Sequence, residues 1–195
     1  MPHESQAFED HRLPATTGRR RRSVRFRLLI AVFGLVVIVF VTASSLLFVW
    51  PATNQPRRVD AILSLNGENE AAREKLSISL AEQGYAPVLL FSQGNSHTTP
   101  CPKVPRVSVV CFSADPGRTA GEVKFAALYA RRHRWSSLMI VPGRAQVTRA
   151  RLLMKRCYAG HVTVVAAPVR ARDIPYDVIY EWGALAKALF IYRSC

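Results

Sequence analysis

The sequence predicts a Rossmann-like three-layer α/β/α sandwich with a mainly parallel five-stranded sheet, preceded by one transmembrane helix. Three observations carry this expectation. Beyond residue 58, apolar runs of strand length alternate mostly with stretches of helical composition, the pattern of a parallel sheet covered on both faces. One block, residues 28–50, holds no charged side chain. The chain of 195 residues leaves enough for one ordinary domain once its tails are set aside.

Residues 1–27 carry seven Arg against three acidic residues, with Arg19, Arg20, Arg21 and Arg22 in succession, and are expected to form a basic, disordered cytoplasmic tail. At ~1.5 Å per residue a helix over 28–50 spans roughly 34 Å, against a hydrocarbon core of ~30 Å. Trp50 and Pro51 close it with an interfacial aromatic and a residue that cannot continue a helix. Six Arg before the block, ending in Arg25 and Arg27, outweigh Arg57 and Arg58 after it, which predicts a single-pass plasma-membrane protein with its C-terminal domain outside. A cleavable signal would need an apolar region of ~7–15 residues, and here the block stays apolar past the triplet Val41-Thr42-Ala43. Residues 51–58 read as a linker and 59–195 as the external domain.

Within that domain, 59–65 is a buried strand ending in the turn Asn66-Gly67, and 70–83 is a helix burying Ala71, Leu76, Ile78 and Leu80 and stopped by Gly84. A second strand covers 87–91. Residues 95–106, with Pro100, Pro102 and Pro105, form an irregular loop before a third strand at 106–112. Thr119 and Glu122 read as a capping box opening a helix over 119–134. A fourth strand at 137–141, a helix over 145–158, a fifth strand at 161–166 and a last helix over 176–192 complete the set.

The external part is basic in its own right, with 20 Lys and Arg against 10 acidic residues, which suits anionic partners other than nucleic acid in this compartment. Cys101, Cys111, Cys157 and Cys195 all lie there, where oxidation is possible. Pairing Cys101 with Cys111 would staple the Pro-rich loop, and Cys157 with Cys195 would tie down the last helix. No C-x-x-C occurs and the His residues lack ligand spacing, so no metal site is expected.

Ligands of open α/β sheets bind beyond the carboxyl ends of the strands. The residues there are Gly67, then Ser92 and Gly94, then Arg118 and Thr119, then Gly143 and Arg144, with Arg149 in the first two turns of the helix that follows and Arg73 in the first helix. Taken singly, each glycine reads as a turn and each Arg as a helix-face salt bridge. Together, glycines that permit close approach, helix amino ends and Arg donors describe an anion pocket. No G-x-G-x-x-G, P-loop or G-x-S-x-G is present. Glu122 and Glu181 are candidate acid–base groups, Glu181 having the alternative of pairing with a buried Arg. Asp60 sits at the wrong end of the sheet.

The order of Asp60-Ala61-Ile62, Gly67, Arg73, the segment from Ala86 to Gly94, Thr119 with Glu122, Val141 through Arg149-Ala150, and Glu181 resembles the YdcF-like domain shared by SanA-like and ElyC-like envelope proteins, over nearly all of 57–195. The resemblance implies a membrane-anchored protein of the cell envelope, with a role in barrier function or wall assembly. Asn66-Gly67-Glu68, Ser92-Gln93-Gly94, Arg118 and Gln146 depart from the family's Gly-rich first loop, Ser-Gly-Gly, Asn and His. Gln146 cannot transfer a proton at neutral pH. The expectation is therefore binding of an anionic, phosphorylated envelope metabolite or lipid-linked precursor. Transferase or hydrolase action on such precursors, or docking of acidic polymers or membrane partners, are the alternatives.

Overall fold

The computed structural model describes residues 17–67, 70–93 and 100–195, and divides the chain into two compact units, Met1–Val41 and Thr42–Cys195. Helix α1 runs Thr17–Ser44 and ends in a π-helical turn, Ser45–Val49. Its stretch Val24–Val49, 26 residues at a mean hydropathy of 2.7, is one helix long and apolar enough to cross a membrane. α1 starts before the expected boundary at residue 28, so residues 17–27, expected to be disordered, are helical backbone. Arg is a good helix former and nothing between Gly18 and Leu28 breaks the ladder.

The second unit is built on strands β1 (Ala61–Ser64), β2 (Val88–Ser92), β3 (Ser108–Phe112), β4 (Ser137–Val141) and β5 (His161–Val164). They form one all-parallel sheet in the order β3-β2-β1-β4-β5. Helices α2 (Glu70–Glu82), α3 (Thr119–His133), α4 (Val147–Cys157) and α5 (Ile174–Phe190) cover both faces. Alternation along the central strands divides the core. Leu63, Leu90 and Ile140 pack with Ala126, Ala130, Leu153 and Met154 of α3 and α4. Ile62, Leu89 and Met139 pack with Leu80 and Ala81 of α2.

Between β2 and β3, the described residues 100–107 hold no helix. Val104, buried with Leu89 and Met139, fills part of the space a helix would cover. Cys101 and Cys111 are joined, as are Cys157 and Cys195, the two expected pairs. Most element boundaries lie within two residues of those expected, and three details of the helices differ. Ala71 of α2 is exposed rather than buried, while Arg73 and Ser77 of the same helix are buried. Residues 144–146 form a separate 3-10 turn ahead of α4. α5 begins at Ile174, after a 3-10 turn at Ala171–Asp173.

The expected linker is part of the fold. Asn54 donates its N–H to Val164 O (2.8 Å) and accepts from Val164 N at its side-chain oxygen (3.0 Å), extending the edge of β5. Arg57 Nε donates to Thr163 Oγ1 (2.6 Å), and Arg151 to Ala52 O (2.7 Å). Ahead of these, Phe48 is buried with Ala145 and Leu185, and Thr148 Oγ1 donates to Leu47 O (2.6 Å). A segment this closely bonded is a fixed strap rather than a flexible tether.

At the start of α3, Gly121 lies against the preceding Asp115-Pro116 turn. A Cβ there would collide with the Pro116 carbonyl oxygen and stand 2.9 Å from the Asp115 carbonyl carbon, both backbone atoms. Gly121→Ala should cost about 1–3 kcal/mol of stability, the range for forced overpacking. Urea unfolding would read this as a lower midpoint at unchanged slope; an unchanged midpoint would mean that the turn yields freely.

Candidate functional site

The order β3-β2-β1-β4-β5 reverses direction at β1, so the carboxyl ends of β1 and β4 diverge into flanking loops and open a crevice. A cavity of about 300 Å³ occupies it. Gly67, Arg73, Ser92, Arg118, Thr119, Glu122, Gly143, Arg144, Gln146, Arg149 and Glu181 all line this one cavity. Gly94, also expected there, lies outside the described residues.

At the centre is the Gln146 side chain. Its oxygen accepts from Arg73 Nη1 (3.1 Å) and from the Gly143 N–H (3.3 Å), and its nitrogen donates to Thr119 Oγ1 (2.7 Å). Thr119 Oγ1 also accepts from Arg149 Nη1 (2.9 Å). With two donors on its oxygen, the Thr119 hydroxyl keeps its own proton to donate. Arg149 then pairs with Glu181 in a bidentate fork, Nε to Oε2 at 2.8 Å and Nη2 to Oε1 at 2.7 Å. Glu181 is therefore a structural partner of Arg149, the alternative the sequence allowed, and not a solvent-facing acid.

The expected capping box does not form. Arg118, in extended conformation, is the N-cap of α3 and Thr119 the first helical residue. Thr119 turns its hydroxyl to Gln146 and Arg149, and Glu122 turns away to accept the Asn66 N–H at 2.6 Å. Both side chains are spent on the site, leaving the helix end without a side-chain cap.

Gly67 has φ +130°, a conformation that favours glycine, and a Cβ there would stand 3.1 Å from Arg73 Nη1. It thereby makes room for the guanidinium, which also donates to Asn66 O at 3.0 Å. Arg118 and Arg144 are exposed. Arg118 is steadied by Tyr192, whose hydroxyl accepts from Nη1 and whose ring centroid is 4.8 Å from the guanidinium carbon. Tyr192 is itself held by Arg156, which donates to its carbonyl at 2.7 Å, and lies three residues before the Cys157–Cys195 bond.

Burial pushes the Glu122 carboxyl above the ordinary carboxylate range, against the opposing pull of the neighbouring Ser92 hydroxyl, the Asn66 N–H and the Arg73 and Arg149 charges. Ser92 Oγ lies beside this carboxyl without a hydrogen bond of standard geometry. For Arg149 burial works against the charge, but the Glu181 carboxylate outweighs it and holds the guanidinium protonated more firmly than usual. Four Arg face three acidic side chains, Glu122, Asp177 and Glu181, across the cavity.

The sequence reading missed Asn66, Asp177, Tyr180 and the Ala167-Pro168-Val169 wall. The rule of inspecting strand ends, carried on to β5, would have found the last three residues. Asp60 is bonded at the opposite end of the sheet. Its Oδ2 accepts from the N–H and hydroxyl groups of Ser136 and Ser137 at 2.8–3.2 Å, and although burial alone would raise its pKa, these bonds hold the carboxyl below the usual range.

Because the Glu122 pKa is raised, its proton persists at pH values where an ordinary Glu is ionised. As pH rises through that shifted value a negative charge appears beside the Arg groups, so affinity for an anion should fall. Calorimetric titration with sulfate, which keeps its charge from the ordinary carboxylate range upward, should show this decline in wild type at pH values above that range and a flat profile in Glu122→Gln. Equal slopes in the two proteins would exclude Glu122 as the titrating group. Searches of protein-family models, curated proteins and solved structures returned no match to this chain, so its chemistry has to be read from the cavity itself.

Proposed function

We propose that this is a membrane-anchored, YdcF-like protein of the cell envelope that binds an anionic, phosphorylated metabolite or lipid-linked precursor in the crevice between β1 and β4. In this reading the apolar helix crosses the plasma membrane, residues before it are cytoplasmic and the domain of residues 59–195 is external, with a role in envelope assembly or barrier function. The observation that carries the reading is the cavity's donor set. Arg73 and Arg149 are fixed in the floor by Gln146, Thr119 and Glu181, while exposed Arg118 and Arg144 stand at the rim. Fixed donors that need not reorganise on binding favour a small, highly charged group such as phosphate.

A second reading is favoured by Glu122. A buried carboxyl with a raised pKa, inside a cavity and beside two guanidinium groups, is suited to give or take a proton during transfer or hydrolysis of a phosphorylated precursor. Docking of acidic polymers is less well supported, since an extended polymer would use an open basic surface rather than an enclosed floor.

The rim and the floor predict different losses. Arg118→Ala and Arg144→Ala, both at exposed positions, should each weaken phosphate binding by about tenfold, equivalent to about 1.4 kcal/mol, while the melting temperature stays unchanged. Arg149→Ala should instead cost about 3–5 kcal/mol of stability, because it leaves Glu181 buried and uncompensated. Calorimetry with inorganic phosphate and thermal unfolding measure the two separately. Undiminished phosphate affinity in the Arg118→Ala/Arg144→Ala double variant would refute an anion site here.

A further inference from the structure

Helix α5 is apolar on two sides. Leu185 and Ala188 face the core. On the opposite side, where 3.6-residue periodicity brings together positions 176, 179, 180, 183, 187 and 190, Ile179 is 76% exposed, Phe190 73%, Tyr176 58% and Tyr180 56%. Lys187 is the one charged residue on that side. A helix apolar on two sides is normally covered on both, and among the described residues of this unit none covers the outer side of α5.

Two observations identify the cover. The chain enters the unit at Thr42 directly from the apolar helix, and its first residues are bonded to α5: Trp182 Nε1 donates to Ser44 Oγ at 2.9 Å, and the Trp182 ring meets Phe48 edge-on at 5.3 Å between centroids. The residues that continue the apolar stretch into this unit, Ser44 and Phe48, thus lie against α5. The chemistry of the exposed side also fits a bilayer surface, with two Tyr and one Phe of interfacial type, a Lys whose stem can lie along apolar surface, and exposed Arg170, Arg172 and Arg193 flanking the helix.

We propose that this side of α5 lies on the bilayer, its apolar side chains inserted roughly 5–10 Å into the headgroup and upper acyl region. The inference rests on the membrane-anchored reading and adds a function for the surface. Asp177, Tyr180 and Glu181 of the same helix form one wall of the anion cavity, so docking α5 places that wall at the lipid–water boundary. The anionic group would then reach the cavity from a lipid in the membrane plane.

The test uses the full chain reconstituted into phosphatidylcholine–phosphatidylglycerol vesicles containing a phosphatidylcholine with a diazirine in its acyl chain. After photolysis, peptides covering 28–49 and 174–191 should both carry lipid, while α2 and β3 carry none. Ile179→Glu/Phe190→Glu should lose the label on 174–191 and keep it on 28–49. Label on 28–49 alone in wild type overturns the proposal and leaves the anchor intact. Label on neither segment refutes the anchored reading and the proposal with it. Cross-linking of two chains through 174–191, without lipid on that segment, would assign the surface to a second copy and overturn the proposal as well.

Discussion

The site depends on one side chain, the Gln146 amide. It is the point at which α2, the loop after β4 and the start of α3 are bonded together, through Arg73, Gly143 and Thr119. Through Thr119 the same chain of bonds continues to Arg149, and from there to Glu181 on α5. These groups are buried, where an unmade hydrogen bond costs about 1–3 kcal/mol and an unpaired charge more. The helices that flank the crevice are thus held by interactions that tolerate little displacement. Hydrophobic packing sets the sheet and its layers, but this polar chain fixes the carboxyl-end geometry to within hydrogen-bonding distance.

The legibility of the fold follows from the same division. Central strands are buried on both faces, so β1, β2 and β4 read as apolar runs and were located closely. Helices α3 and α4 follow strands directly and carry enough apolar spacing to be seen. In α2, Leu76, Ile78 and Leu80 pack into the core as expected, but Ala71 is exposed and the helix also buries Arg73 and Ser77, where a periodicity argument looks for Leu or Ala. The capping box failed for a related reason. Thr119 and Glu122 have the right spacing, and spacing cannot show that both are drawn into the site by Gln146, Arg149 and Asn66. The places where local sequence rules misled are therefore the places where function and stability compete for the same side chain.

The segment between the apolar helix and the domain shows a second limit of sequence reading. Residues 51–58 have a linker's composition, with Pro51 and Pro56 and no strand pattern. Yet Asn54 extends β5 on its edge and Arg57 bonds Thr163 beneath it. No periodicity signals a segment held by scattered bonds at Ala52, Asn54 and Arg57. The consequence is mechanical. The domain cannot swing on this segment without breaking bonds to β5 and lifting Phe48 out of a buried cluster, so the crevice keeps a fixed relation to the residues from Thr42 onward.

Whether such a site binds only or also reacts turns on which group can move a proton. The Gln146 amide is engaged in three bonds and carries no titratable proton, so it positions rather than reacts. Glu181 is locked to Arg149, and removing its charge would expose a buried cation. Glu122 is different. It accepts one backbone bond, it neighbours a serine hydroxyl, and burial holds its proton beyond the usual range. A fold that needed only a counter-ion for Arg73 would gain more from a carboxylate with a lowered pKa, as at Asp60. Burial pushes the Glu122 carboxyl up while the Ser136 and Ser137 bonds hold the Asp60 carboxyl down, so of the two it is Glu122, in the Arg-lined crevice, whose proton is the more readily retained.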